Sequence, residues 1–423
     1  MISEELIDKV VERLVLRIEE GNSYVLEQIG KSIKKIGTLT PSKAQELVQV
    51  LKYGGDYDKI VRRLSKITEL NVRDIQQIFE EVAKNDYNFA KQFYDYRGKK
   101  FIPYEENIAL KNEVEALARI TAGEYINFTR TMAFAKKVNG RTIYTPLARA
   151  YQEVLDKAVL SVSQGKTTFQ EEMYSTIKEL ADSGLKTVDY STGRSMRLDS
   201  AVRMQMKGAL RSLHNETQRI FGEEFESNMV EVSHHTNSAP DHIDSVDGKQ
   251  FARIDVIKDQ INKGYEKEIK LSDIDGNRVK VKGKWYYDFD YINDNLKRPV
   301  STLNCYHYTF EGILGVTKPE YTKEELEEDK QNNIEGFDYE GKHYSLYEGE
   351  QLLRKIELEI RKSKDEQKMG VSAGIKENVE KAQKRISILT KKYKDILKES
   401  GLKSKLDRAR VSNYHRVNVA KMK

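Results

Sequence analysis

The chain has 423 residues, of which 33% are charged and 38% fall in the hydrophobic set, with 6 Pro and a single Cys. That length exceeds one ordinary core, so two or three domains are expected. The lone Cys excludes an internal disulfide, no run of 18 apolar residues exists to span a membrane, and a net charge of +5 does not by itself demand nucleic acid.

The first segment, MISEELIDKVVERL, is acidic and amphipathic and lacks the basic start of a secretory signal. Ile2, Leu6, Val10, Leu14 and Ile18 recur every four residues, and Val25, Ile29 and Ile33 continue the stripe. This predicts a helix to about residue 34, with Gly21-Asn22-Ser23 as a candidate break. Ser3 is a candidate cap, without the Glu or Gln of a capping box. Pro41 suits the first position of a helix running to Tyr53. Gly54-Gly55 then breaks the chain before a helix at about 57–67, and Asn71 reads as the cap of another. A long helix is predicted over about 104–136, a turn at Asn139-Gly140, and a helix over about 146–163. Residues 1–165 thus read as a wholly helical N-terminal region.

Thr167 and Gln170 form a candidate capping box, with Gly184 as the stop. The next helix starts at Asp199 or Ser200 and runs to about Phe225. Its Arg203, Lys207 and Arg211 read as a solvated basic face, or one facing phosphate. After Ser227 the pattern changes. MVEVSHH alternates like a strand, Asp247-Gly248-Lys249 is a turn, a hairpin closes on Asp275-Gly276-Asn277, and KWYYDFDY reads as extended. Residues 166–316 form the central helix-plus-β unit, and 317–423 a charged helical tail with Gly401 as a stop. Within 376–423 there are 15 Lys/Arg against 5 Asp/Glu, a surplus suited to DNA or an acidic partner, and equally to a solvated helix in a bundle. The fold class is mainly α with a small central α+β unit and long amphipathic helices at both ends.

Four of the 7 His share one window with the only Cys: His234, His235, His242 and His307, with Cys305. Imidazole and thiolate are the preferred donors of zinc, which takes four in a tetrahedron. His235, His242, Cys305 and His307 are therefore the candidate ligands of a structural zinc pinning a β unit that has little core of its own. The bland alternative is a small buried thiol among hydrogen-bonded His. Asp241, Asp244 and Asp247 are acidic candidates of the kind usually left in solvent. No phosphate-binding loop exists: Gly30-Lys31-Ser32 has the ending of one, but its upstream Gly is too distant.

This run resembles the central motif of the phage minor capsid protein 2 family. The matching residues are His235, Pro240, His242, Gly248, Lys249, Asn304, Cys305 and His307. The likeness extends to VDYSTGRSMRLDSAVRMQMKGAL, with its Gly-Arg turn, and to the C-terminal helices. Asn237, Ser238, Ala239, Asp241 and Tyr306 depart from the family pattern, and one extra residue precedes Gly248. The resemblance implies a non-enzymatic structural protein of a tailed-bacteriophage head. It would act with the portal and major capsid proteins, in several copies per virion. It would be assembled in the host cytoplasm and reside inside the capsid or at the portal vertex, touching packaged double-stranded DNA through residues 376–423. Two alternatives are a metal-dependent, nuclease-like enzyme and a non-enzymatic DNA-binding protein. The His234-His235 pair invites the first, but the spacing of a His-Asn-His nuclease is missing.

Overall fold

A computed structural model describes residues 4–53, 56–89, 91–139, 141–188, 195–266, 268–302, 305 and 307–422. The expectations for Ile2, Ser3, Gly54, Gly55, Gly140, the Gly193-Arg194 turn, Asn304 and Tyr306 lie outside them. The protein is mostly helical, with small antiparallel sheets and long helices toward both ends, as the periodicity predicts. Among the described residues no helix is long and apolar enough to cross a membrane.

Helix α1 (Glu4–Gly37) runs unbroken through the predicted interruption. A Cβ at Gly21 would stand 3.1 Å from the Leu64 side chain, so this glycine marks a close approach and not a break. Helix α2 (Pro41–Tyr53) starts at Pro41 as expected. Helix α3 (Asp56–Phe89) is continuous through Asn71, which corrects the capping assignment. The Asn71 amide is buried in mid-helix, donating to the Leu14 carbonyl at 3.3 Å and to the Tyr125 hydroxyl at 2.7 Å while accepting from Arg17 at 3.1 Å. Its polar side chain serves tertiary structure, which spacing along the chain cannot reveal.

Helix α4 (Lys91–Arg97) and helix α5 (Ile108–Arg130) follow. The predicted helix to Lys136 stops at Arg130. A hairpin of β1 (Met132–Val138) and β2 (Arg141–Pro146) replaces its end, so the N-terminal region is not wholly helical. The β-branched and aromatic run Thr142-Ile143-Tyr144-Thr145 favours the pleated arrangement. Helices α6 (Leu147–Gln164) and α7 (Lys166–Ser183) are joined by Gly165 at φ 108°. That glycine, not Thr167, precedes α7, so the predicted capping box does not form; Gly184 ends the helix as expected. Strands β3 (Lys186–Val188) and β4 (Ser195–Arg197) complete a sheet ordered β2-β1-β3-β4.

Helix α8 (Leu198–Glu224) lacks the solvated basic face anticipated for it. Arg203 grips Glu12 through two bonds of 2.8 and 3.0 Å, Lys207 pairs with Asp8, and Arg211 lies buried over the Tyr308 ring. Strands β5 (Met229–Val232) and β6 (Gln250–Ala252) precede α9 (Ile254–Asn262). The predicted hairpin is β7 (Ile274–Asp275) with β8 (Arg278–Val281), and β9 (Lys284–Tyr287) adds a third strand. The extended reading of KWYYDFDY holds only to Tyr287. Asp288 caps the short helix α10 (Phe289–Asp294), accepting from the Tyr291 N–H. Strand β10 (Thr309–Gly312) gives the sheet order β10-β5-β6. Helix α11 (Lys323–Glu335) has a true capping box at Thr322 and Glu325. The small hairpin of β11 (Phe337–Tyr339) and β12 (Lys342–Tyr344) interrupts the predicted helical tail. Helices α12 (Leu346–Ala373) and α13 (Lys376–Ser400) follow, with Gly401 left-handed at φ 67° as the expected stop, and two short 3-10 helices (Leu406–Ala409 and Val419–Lys421) come after it.

Two compact units emerge, each built from segments far apart in sequence. One comprises residues 1–8, 76–121 and 204–349. Met229 of β5 and Ala252 of β6 pack with Ile254, Val279 and Val281 in one apolar cluster, and Val230 and Val232 of β5 with Phe251 of β6 and Phe289 of α10 in another. The other comprises residues 9–75, 122–203 and 350–423, with Leu14, Ile18, Leu26 and Ile29 of α1 buried in it.

This second unit holds a buried ionic cluster. The Arg197 guanidinium meets Asp365 at 3.2 Å and Asp199 at 3.4 Å, and Arg361 meets Asp199 at 3.0 Å. Asn22 donates to Asp365 at 3.0 Å, which explains the polar residues in α1 that resembled a break. Glu19 stands 3.8 Å from Arg197. Three carboxylates thus share two guanidinium groups. Burial first, and then the charges of Asp199 and Asp365, push the Glu19 pKa well above the usual carboxyl range.

Two variants test this cluster by chemical denaturation. Arg197→Ala strands buried carboxylates and is expected to cost about 3–5 kcal/mol. Glu19→Gln mimics the protonated acid. The parent's stability from this raised pKa is complete below the unfolded carboxyl range and lost as pH rises through the folded value. The variant should therefore match the parent near pH 4 and exceed it near about pH 8.

Candidate functional site

The sheet β10-β5-β6 places the His/Cys segment. Val232 pairs with Thr309, so the chain leaving β5 and the chain entering β10 lie side by side at one end of the ladder. The Ser233 N–H donates to the Tyr308 carbonyl, and the Tyr308 N–H donates to the Ser233 hydroxyl, each at 2.9 Å. His235 and His307 are thereby neighbours, their rings 4.9 Å apart and edge to face. The loop from Ser233 to Lys249 is closed by the Val232 N–H, which donates to the Lys249 carbonyl at 2.9 Å. Gly248 turns this loop at φ 68°, where a Cβ would strike Leu326 of α11.

His242, Cys305 and His307 are buried, and one donor atom from each lies within 4.8 Å of the others. The two Nδ1 atoms are 3.1 Å apart; Cys305 Sγ is 3.8 Å from His242 Nδ1 and 3.5 Å from His307 Nδ1. Outer partners decide which ring nitrogens carry protons. His242 Nε2 lies 2.6 Å from the Arg298 carbonyl, an acceptor only, so this nitrogen donates. His307 Nε2 lies 2.7 Å from Asp247 Oδ1 and donates to it. The inner nitrogens then direct lone pairs, or one shared proton, toward the sulfur and each other. Burial opposes ionisation of Cys305, but hydrogen bonds from His242 and His307 outweigh it and bring the thiol down to about 5. Burial likewise opposes charge on His307, yet its bonds to Asp247 and Cys305 carry it up to about 8.

This donor set suits a cation. A tetrahedral zinc with bonds of about 2.0–2.1 Å to nitrogen and about 2.3 Å to sulfur would set two nitrogens about 3.3 Å apart and nitrogen and sulfur about 3.5 Å apart. The three observed edges lie close to those lengths, so the triad can hold a metal ion. His235, the fourth sequence candidate, is outside the triad. It is half-buried beside His307, with its Nε2 3.5 Å from the Ser233 hydroxyl.

Reading the sequence for donors missed the anchor. Asp247, expected among loop acids left in solvent, is instead buried and accepts from four donors. Oδ1 takes the His235 N–H at 3.0 Å, the Ser238 hydroxyl at 2.7 Å and His307 Nε2, and Oδ2 takes His234 Nδ1 at 2.6 Å. Burial would raise its pKa, but the bonds from His234, His307 and Ser238 hold it well below the usual range. His234 in turn reaches Asp329 of α11 through Nε2 at 2.8 Å. Burial opposes its charge, while bonds to both carboxylates raise its pKa. Asp241 pairs with Arg298 at 2.9 Å and Asp244 with Lys330 at 2.6 Å. The only sequence signal for Asp247 was its place before Gly248-Lys249, read there as turn chemistry.

The family model for phage minor capsid protein 2 matches residues 2–398. No curated protein and no solved structure matches the chain.

The anchor role is separable from the surface contact. Asp247→Asn offers an amide where four donors converge and is expected to destabilise the unit by about 3 kcal/mol. Asp329→Ala removes a partly exposed partner and should cost about 1 kcal/mol or less. Urea unfolding of the two variants beside the parent measures the difference.

Proposed function

The chain belongs to the phage minor capsid protein 2 family, a structural and not an enzymatic family, and from that premise we propose a specific role for it within the virion capsid. It acts with the portal and major capsid proteins inside the head or at the portal vertex, in several copies. Its central unit is closed by a structural zinc, and its basic tail lies against packaged double-stranded DNA. The observation that carries the zinc assignment is the convergence of His242 Nδ1, His307 Nδ1 and Cys305 Sγ on one buried point.

Burial distinguishes the purpose of such a metal. Catalytic sites keep a position open to water, whereas structural sites are closed. His242 and Cys305 are each 1% exposed and His307 is 3% exposed, which favours a clamp over a reaction centre. The Asp247 carboxylate and the Arg298 carbonyl hold the two rings from outside, the usual means of fixing a ligating imidazole. His235, beside His307, would complete the four donors. A metal here would tie the loop after β5 to the approach to β10.

The DNA assignment rests on charge. In α13, Lys384, Lys391, Lys394 and Lys398 are exposed, and Lys391, Lys394, Tyr414 and Arg416 line one groove. A duplex binds such a surface through phosphate contacts, with strong salt dependence.

Elemental analysis of the purified protein tests the metal. About one zinc per chain is expected in the parent and little in His242→Ala or Cys305→Ser, with lower thermal stability in both; a metal-free parent as stable as Cys305→Ser would sink the assignment. For the tail, the triple variant Lys391→Ala, Lys394→Ala, Arg416→Ala should flatten the log–log salt dependence of duplex binding by about 2–3. An unchanged slope excludes that groove. Mass spectrometry of portal-containing assembly complexes checks the proposed partner, whose absence would count against the vertex location.

A further inference from the structure

We infer that the outer face of the β7-β8-β9 sheet binds single-stranded nucleic acid, bases stacking on Trp285 and Tyr287 and phosphates meeting Lys280 and Arg278. The sheet has two unlike faces because side chains alternate along a strand. Val279 and Val281 of β8 are buried, and Tyr286 of β9 packs against the same apolar cluster. The paired register then sends Arg278 and Tyr287, and Lys280 and Trp285, to the opposite face. There Trp285 keeps 40% of its surface exposed and Tyr287 50%.

Each outward pair sets a cation opposite an aromatic ring. The Arg278 guanidinium is 4.5 Å from the centre of the Trp285 ring and the Lys280 ammonium 5.8 Å. The acid paired with this face is Asp275, bound to Arg278 at 2.6 Å, and no carboxylate pairs with Lys280 among the described residues. An exposed ion pair of this kind contributes little and exchanges readily. The run RVKVKGK carries four cations and no acid from Arg278 to Lys284. Lys282 at the turn is held by the Gly315 carbonyl at 2.9 Å, and Lys284 lies 4.6 Å from the Tyr286 ring centre.

Charge and shape together select the occupant. Cations alone would suit any polyanion, but exposed rings interleaved with them suit one whose repeating unit is both charged and planar. Residues two apart on a strand are separated by about 6.8 Å, twice the about 3.4 Å rise of a stacked strand. Two successive bases of an extended strand can therefore reach Trp285 and Tyr287, as bases do on other aromatic sheet faces. A duplex keeps its bases stacked inside and offers these rings nothing. An acidic peptide would meet the cations and leave the rings bare.

Trp285 is the only tryptophan of the chain, so its fluorescence reports on this face alone. Titrating the full-length protein with oligodeoxythymidine should quench its emission. Trp285→Ala and Lys280→Ala should each weaken binding of a labelled strand, measured by anisotropy, by about 5-fold or more. Both side chains point outward, so unchanged circular dichroism and melting would establish that the variants fold. The tail variant Lys391→Ala, Lys394→Ala, Arg416→Ala should keep the quench, which separates this surface from the proposed duplex contact. Several results would overturn the inference: no binding of the strand, binding without a change in emission, equal affinity in Trp285→Ala, or loss of the quench in the tail variant. Equal competition by a duplex would reduce the face to a phosphate contact, and quenching by polyglutamate in place of the strand would assign it to an acidic protein.

Discussion

A carboxylate buried away from water must have its oxygens satisfied, and Asp247 meets this requirement with four donors drawn from one loop and from the approach to β10. The geometry of the candidate site follows from it. Because His307 gives its Nε2 proton to Asp247, its Nδ1 turns inward toward Cys305 and His242. Because His234 gives Nδ1 to the same carboxylate, its Nε2 reaches out to Asp329 and ties α11 to the loop. One anion thereby fixes a ring of the His/Cys triad inside and a helix outside. Asp247 stands outside the group of donor atoms formed by His242, Cys305 and His307 and holds the His307 ring from behind.

The second unit solves a related problem differently. Its buried charges are a network of two arginines and three acids recruited from α1, β4, α8 and α12. Desolvating five ionisable groups costs more than their attraction returns unless each is matched in position, and the odd acid, Glu19, is driven toward its neutral form. A network of this kind stabilises little on balance. It does bring together α1, the junction of β4 and α8, and α12, three places far apart in sequence.

These features suit a structural role in a capsid. The family is one of structural components, and several charged side chains of this chain hold its own segments together. Arg203 and Lys207 of α8 point to acidic partners in α1. Lys364 and Lys368 of α12 donate to the carbonyls of Ala409 and Ser412, fastening the segment after α13.

The amino-acid order by itself determined whatever depends on near neighbours. The four-residue apolar spacing specifies α1, the conformational freedom of Gly401 and Gly276 marks a helix end and a turn, and the His235–His242 and Cys305–His307 donors carry the family likeness. It placed four candidate ligands in one segment, of which the fold brings His242, Cys305 and His307 together and leaves His235 beside them. Tertiary structure alone decided the rest. Asn71 and Asn22 look like caps or breaks because Asn usually satisfies its amide locally, yet both donate to groups distant in sequence. The cations of α8 look solvated because helical spacing says nothing of the acids across from them. Asp247 looks like a turn residue because only the closed loop brings two imidazoles, a hydroxyl and a backbone N–H to its oxygens. Polar side chains take their roles from partners far along the chain, and only the folded chain sets those partners.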